Sequence, residues 1–384
     1  MSRPTKILFL TTSTDVGGAE RALLMLVANI NRDLFEPVVV SVRPEGLTAS
    51  RVRAAGIRMY SLRMTSGLDL NGAVQKLRSI VEQEDPEIVQ SWMYHADALT
   101  AFLRWSYPHI TIVWGVRNTS LSLKHTRLTT IATMLVCSIL SRRVPKRIVA
   151  CSTNAVHIHK RYGYDPSKWS VVLNGVDFNE MYESNEERVS QRKALGVAPS
   201  EFLVAVVGRD DPQKNHPGAL ASIAEARHEI PHIKCVMAGK GLDRTNERLT
   251  RLIRKLNLEK CVQLLGQCEQ VRQIYNAADV LLMSSTYGEA FPNVVAEAMA
   301  CGLPCIVTDI GDAALIVGNE DNVIARYHKT GMAQKIVSYV KRDASTISRE
   351  RELCIRRIQE QFSLQRYVAN FERQYSMLMN EKLS

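Results

Sequence analysis

No acidic side chain occurs between Asp97 and Asp165, no two cysteines are spaced as CxxC, and no apolar tract is long enough to cross a bilayer. Eight scattered cysteines with neither paired spacing nor neighbouring histidines exclude a disulfide framework and a zinc site; they suit reduced, mostly buried thiols. The apolar stretch 129–140 stops well short of the ~20 residues of a spanning helix. Residues 6–10 are too short for a secretory leader and run into a glycine loop, so a cytosolic chain is expected. No Asp-x-Asp stands at the end of an apolar strand, and neither a catalytic divalent metal nor another cofactor is expected.

The missing acids leave one strongly basic segment. Ten lysines and arginines lie in that interval, as many as the formal net charge of +10, so this segment alone makes the protein basic. Arg142, Arg143, Lys146 and Arg147 follow directly on the apolar stretch, and Lys124 and Arg127 precede it. One account is a core helix with a solvated basic end, favoured by the helix dipole. The other is a face held against anionic phospholipid, with apolar side chains dipping in. Nucleic acid is not expected as a partner, because neither a recognition motif nor aromatic interleaving accompanies the charge.

What the chain does have is the composition of a soluble globular protein: 384 residues, 46% apolar and 23% charged, enough for two cores. Strand-like runs at 6–12, 37–42, 57–62, 87–91, 110–116, 147–152 and 170–173 are interleaved with helical spacing at 19–30, 49–55, 70–84 and 129–140. After a charged helix expected at 181–195, a second series has strands at 202–207, 234–238, 262–265, 280–284, 303–308 and 323–325. Its helices are expected at 217–229, 246–256, 331–342, 346–361 and 364–380. Both series read as α/β.

The stretch 280–309 is the most informative. A strand is followed by a loop carrying Glu289, a helix entered at Pro292 and carrying Glu297, a stop at Gly302 and another strand. The amides around Phe291, Asn293 and Val294 would open the helix, a ready site for an anion. Glu297 lies about 7–8 Å further along the axis at ~1.5 Å per residue, where a ribose could meet it. An ordinary crossover with two solvated glutamates fits the same residues. Gly17 and Gly18 end the loop after the first strand, the layout by which a Rossmann half brings amides to phosphate, or simply a tight turn. His95 follows a strand end, and Arg209 and Lys214 follow another.

Taken in order, Gly17-Gly18-Ala19-Glu20, His95, Asn174-Gly175-Val176-Asp177, Arg209-x4-Lys214 and Glu289-x7-Glu297 with Phe291-Pro292 between resemble the retaining GT-B glycosyltransferases of family GT4. The stretch from Gly288 to Asp309 is close to the form in bacterial members that build surface polysaccharides. The resemblance covers nearly the whole chain. It implies a GT-B fold, two Rossmann-like domains facing across a cleft, with residues 1–180 on the acceptor side and 181–363 holding the nucleotide sugar. The last helix, within 364–384, would cross back onto the first domain. Arg209 and Lys214 would neutralise the leaving phosphate, and Glu289 would hold sugar hydroxyls. His95 would donate to the sugar or the phosphate. Ala290, Phe291, Pro292, Asn293, Val294 and Glu297, with Gly17 and Gly18, would bind the donor. The family usually has an aliphatic residue after the arginine; Asp210 and Asp211 stand there instead and weaken the local positive field.

The implied activity is metal-independent, retaining transfer of a hexose from a nucleotide-diphosphate sugar, with a UDP-sugar favoured over a GDP-sugar. The acceptor would be a hydroxyl, on a lipid-linked oligosaccharide of capsule, exopolysaccharide or O-antigen synthesis. A peripheral position at the inner face of the cytoplasmic membrane would give the basic segment a purpose. Two alternatives are a nucleotide-sugar epimerase of similar fold and a catalytically silent binding protein.

Overall fold

The computed structural model describes residues 3–15, 17–66, 69–119 and 128–383; Lys124 and Arg127 lie outside them. The chain forms two compact units, Met1–Gly175 with Leu364–Ser384, and Val176–Ser363, so that the boundary falls inside the Asn174–Asp177 motif.

The first unit is built on seven strands: β1 (Thr5–Thr11), β2 (Phe35–Ser41), β3 (Arg58–Ser61), β4 (Ile88–Trp92), β5 (Thr111–Val116), β6 (Arg147–Ala150) and β7 (Trp169–Val171). All pair in parallel, in the order β3-β2-β1-β4-β5-β6-β7. Parallel strands are covered on both faces, which is why Ile7–Leu10 of β1 and Val38–Val40 of β2 are unbroken buried apolar runs. One face is closed by the helices Leu70–Glu84, Tyr94–Leu99, Ala101–Ser106, Leu128–Leu140 and Thr153–Arg161 through residues such as Leu77, Ala96, Leu103, Met134 and Ala155. The other is closed by Gly18–Asn29, Ala49–Ala54 and the C-terminal helix Leu364–Leu383. That last helix lays Tyr367, Phe371 and Tyr375 against Phe9 and Trp92. The Tyr367 hydroxyl donates to the Ala22 carbonyl at 2.9 Å.

The second unit repeats the plan with β8 (Phe202–Val207), β9 (Ile233–Ala238), β10 (Val262–Gly266), β11 (Val280–Met283), β12 (Cys305–Thr308) and β13 (Val323–Ile324). They too are parallel, ordered β10-β9-β8-β11-β12-β13. Its ends lie side by side: the Val176 amide donates to the Phe362 carbonyl at 2.8 Å.

Five short helices, Tyr94–Leu99, Ala101–Ser106, Thr153–Arg161, Val271–Ala277 and Ala313–Val317, are not marked by periodicity. Thr153–Arg161 is fixed by its cap, the Ser152 hydroxyl accepting from the Ala155 amide at 3.0 Å, in a sequence too polar for an apolar stripe. The helix expected over 181–195 starts at Asn185, because the Ser184 side chain takes the Glu187 amide at 3.2 Å and sets its entry.

Candidate functional site

Each sheet reverses its strand order beside its first strand, and crevices of open α/β sheets lie beyond the carboxyl ends of strands at such a point. In the second unit the reversal falls between β8 and β11. The loop after β8 carries Gly208, Arg209 and Lys214, and the loop after β11 carries Glu289. They are stitched together. The Ser284 hydroxyl donates to the Lys214 and Asn215 carbonyls at 3.0 and 3.1 Å, and the Thr286 amide to the Gln213 carbonyl at 3.0 Å.

That stitching brings Lys214 Nζ to 2.6 Å from Glu289 Oε1, which also accepts from the Ser285 hydroxyl at 2.7 Å. The glutamate is buried and the lysine nearly so. Arg209 is 62% exposed and bonded through Nε to Asp211 at 3.0 Å. Asp210 turns away, bound by Arg248 at 2.6 Å and by Asn246 at 2.7 Å. Against burial, which pushes it up, the Gln213 amide and Arg209 hold the Asp211 carboxyl below its usual range. The field of Arg209 is thus blunted by Asp211 rather than Asp210. His216 donates from Nε2 to the Arg209 carbonyl at 2.9 Å, and burial lowers its pKa.

The Glu289 loop runs directly into the helix Asn293–Ala300, with Pro292 at its N-cap. Phe291 is buried against Phe362, ring centroids 5.7 Å apart, while Asn293 and Val294 are half-buried. The first amides of a helix have no acceptor within it, which suits an anion. The Ala290 carbonyl accepts from the Asp312 amide at 2.9 Å. Gly311, at φ +68°, allows that approach: a Cβ there would stand 2.5 Å from the carbonyl oxygens of both Glu289 and Ala290. Glu297 is buried and separately held, accepting from the Tyr275 hydroxyl at 3.2 Å. Ser285, Tyr275 and Gly311 were not singled out from the sequence. The paired serines at a strand end were a readable signal, whereas nothing local marks Tyr275.

In the first unit the reversal falls between β1 and β4, and Gly17, Gly18 and His95 lie where the chain passes from these strands into the helices that follow. Gly18 begins the helix Gly18–Asn29 after an extended Gly17. The Trp92 indole donates to the Ala19 carbonyl at 2.9 Å, tying this loop to the end of β4. His95 stands in the first turn of Tyr94–Leu99 behind Met93, whose φ of +75° is a strained value for a side chain of that size. Burial, and then the charge of Arg43, lower the pKa of His95, which leaves a neutral imidazole near pH 7. Behind it Asp97 is fully buried, accepts from the Ser91 hydroxyl at 2.6 Å, and is pushed by burial to about 7. The Arg117 guanidinium lies 3.8 Å over the Trp92 ring and donates to Asn174 at 3.1 Å.

Of the basic residues singled out, Arg142, Arg143 and Lys146 are exposed and Arg147 is half-buried. Glu381 takes both Lys146, at 3.3 Å, and Arg147, at 3.2 Å. They lie at the amino-terminal edge of the sheet, opposite to His95. Among the described residues no helix is long and apolar enough to cross a membrane, and no three His, Cys, Asp or Glu side chains gather as metal ligands.

Two doubly wound parallel sheets of this order are the GT-B architecture, and solved structures agree. Anabaena Alr3699/HepE in complex with UDP superposes with a TM-score of 0.84 over 97% of this chain and 100% of that one, at 22% identity. Sucrose-phosphate synthase from Thermosynechococcus elongatus gives 0.81 over 98% and 100%, at 17%. Residues 16–180 match the model "Glycosyltransferase Family 4" and residues 187–360 the model "Glycosyl transferases group 1". The chain belongs to glycosyltransferase family 4. Among curated relatives, a D-inositol 3-phosphate glycosyltransferase of Rhodococcus erythropolis is 33% identical over 48% of this chain. The UDP-Gal:alpha-D-GlcNAc-diphosphoundecaprenol alpha-1,3-galactosyltransferase of Escherichia coli is 33% identical over 44%. The chain spans 43% and 46% of the length of these two relatives.

Proposed function

We propose that the chain is a metal-independent, retaining hexosyltransferase that moves a sugar from a UDP-sugar to a hydroxyl of a lipid-linked oligosaccharide in surface-polysaccharide synthesis. The observation that carries the reading is the Lys214–Glu289–Ser285 group at the reversal point of the second sheet, with Arg209 on the neighbouring loop. A diphosphate there would draw Arg209 from Asp211 and compete with Glu289 for Lys214. The amides from Ala290 to Val294 would take further phosphate oxygens, with the ribose at Glu297. Glu289, released from the ammonium, would hold sugar hydroxyls.

In the reaction the bond from the anomeric carbon to the β-phosphate oxygen breaks. The acceptor oxygen bonds to that carbon on the same face, and its proton leaves on the departing phosphate. The two cations stabilise charge that grows on the phosphate in the transition state, where such contacts accelerate most. His95, kept neutral by burial, is proposed to donate to the sugar or the phosphate, and the Gly17 and Gly18 amides to approach substrate. The Anabaena neighbour bound to UDP-glucose supports a uridine donor. The Escherichia coli relative's lipid-linked acceptor supports ours, with peripheral association at the inner membrane face; the inositol phosphate relatives favour a small phosphorylated polyol instead.

The test offers UDP- and GDP-sugars with either acceptor, with and without chelator, and reads product configuration by NMR. The expected result is chelator-insensitive transfer from a UDP-sugar to the lipid-linked acceptor with configuration retained. Glu289→Gln should lower kcat by about 10²–10³-fold. Inversion, release of isomerised nucleotide sugar, or no donor-induced melting shift would overturn it.

A further inference from the structure

The helix Leu128–Leu140 turns an apolar stripe to solvent. Met134, Cys137 and Ser138 are its buried residues, while Leu128, Ala132, Leu135, Val136 and Ile139 are exposed at helical spacing. Ile139 and Leu128 are each 75% exposed. The preceding helix Ala101–Ser106 adds Phe102 and Trp105, the latter 65% exposed. Among the described residues, six of sixteen exposed large apolar side chains fall between Phe102 and Ile139. A concentration of that kind marks an interaction surface, whereas scattered single residues would not.

What borders the stripe identifies its occupant. The Arg104 guanidinium donates from Nε to the Arg143 carbonyl at 3.3 Å, joining the Trp105 helix to the turn after Ile139. Beneath that junction opens a groove of about 420 Å³. Its cationic lining side chains are Arg104, Arg142, Arg143, Lys146, Lys168 and Lys382, against one carboxylate, Glu381. Apolar side chains beside such a cluster, with a tryptophan between them, are complementary to an anionic bilayer: acyl chains take the stripe and headgroup phosphates the groove.

We infer that this face docks the protein on a bilayer of anionic phospholipid, inserting Trp105, Leu135, Val136 and Ile139. The helix is the crossover between β5 and β6, so it runs antiparallel to the strands. Its thirteen residues span about 20 Å at ~1.5 Å each. The stripe therefore reaches from the edge that carries His95 to the edge that carries the groove. A membrane along it passes both, and a substrate confined to the bilayer is delivered to the reacting edge. That delivery rests on the proposed lipid-linked acceptor; the docking does not.

The test uses the full chain, without substrates, and vesicles of phosphatidylcholine with or without phosphatidylglycerol. Trp92 and Trp114 are buried and Trp169 half-buried, so Trp105 reports insertion. Mixed vesicles should sediment the protein and shift its tryptophan emission to the blue, and Trp105→Phe should abolish the shift. The double variant Leu135→Asp, Ile139→Asp should weaken sedimentation about ten-fold or more while keeping the melting temperature and UDP affinity. Arg142→Glu with Arg143→Glu should remove the preference for the anionic lipid. Unchanged sedimentation of the double Asp variant would overturn the inference. So would a wild-type dimer that ignores vesicles and falls apart in that variant, because the stripe then meets a second copy. Failure of sugar transfer with vesicle binding intact would count against the proposed acceptor alone.

Discussion

Both cations expected to meet a diphosphate already have carboxylate partners: Arg209 has Asp211 and Lys214 has Glu289. At the proposed donor site, binding would exchange one anion for another at each cation, and the exposed pair is cheaper to open than the buried one. A different residue governs the pH response. Burial raises Asp97 from 3.8 to about 7, so between pH 4 and 7 the native state keeps a proton that the unfolded chain has released. Raising pH through that window costs stability, about 1.4 kcal/mol per pH unit. His159, hydrogen-bonded to Tyr94 at 2.6 Å and lowered by burial from 6.5 to about 4, acts in the opposite sense. From pH 4 to 6.5 the unfolded chain binds its proton and the native state does not, so rising pH adds stability. The two slopes oppose each other, and His95 and His216, also lowered by burial, add to the rising one. Asp97→Asn removes the falling one, so its melting temperature should climb more steeply with pH than that of the wild type between pH 4.5 and 6.5. Equal slopes in the two proteins would show that Asp97 does not hold the proton.

At the scale of elements, the loops around the candidate site are set by close backbone approach as much as by side chains. The Gly208 amide donates to the Ala238 carbonyl at 2.9 Å, and the Asp210 amide to the Lys240 carbonyl at 2.8 Å. Gly239, at φ +148°, sits where a Cβ would fall on the Gly208 carbonyl. Gly239→Ala should cost about 2–4 kcal/mol in denaturant unfolding and weaken UDP in calorimetric titration, because the turn leading to Arg209 must move. Gly196→Ala, at φ +65° with nothing within 4 Å, is the control: it should lose about 1 kcal/mol and leave UDP affinity unchanged. The strand–loop–helix units themselves were legible, since β8 and the helix Leu70–Glu84 begin and end where their apolar patterns do. So were the loop positions of Glu289, Arg209 and Lys214, because motifs in α/β units sit after strands. What was not legible depends on distant partners. The Lys214–Glu289 contact joins residues 75 apart, and the Tyr275–Glu297 bond joins a helix end to a neighbouring helix without any local mark. Nor could the apolar stripe be separated from a core face by periodicity, which gives spacing but not which side is covered.

For the whole molecule, the two units differ in how the chain makes them. Val176–Ser363 is continuous, its ends bonded side by side, and it carries Arg209, Lys214 and Glu289 on the loops after its own β8 and β11, and Glu297 on the helix that follows. The first unit is complete only when the chain returns as Leu364–Leu383. Tyr367, Phe371, Tyr375 and Leu378 are buried in that return, and the Tyr375 hydroxyl reaches Gln90 of β4 at 3.3 Å. Each such side chain is worth about 1.5–3 kcal/mol on burial, so the set rivals the 5–15 kcal/mol by which a domain is stable. The segment Val176–Ser363 expressed alone should therefore melt cooperatively and shift upward with UDP. Residues 1–175 alone should show no cooperative transition, and restoring residues 364–384 through a flexible linker should bring it back. If residues 1–175 melt cooperatively near the full chain's temperature, the returning helix is dispensable. If Val176–Ser363 folds but ignores UDP, donor binding needs groups that the second unit does not carry.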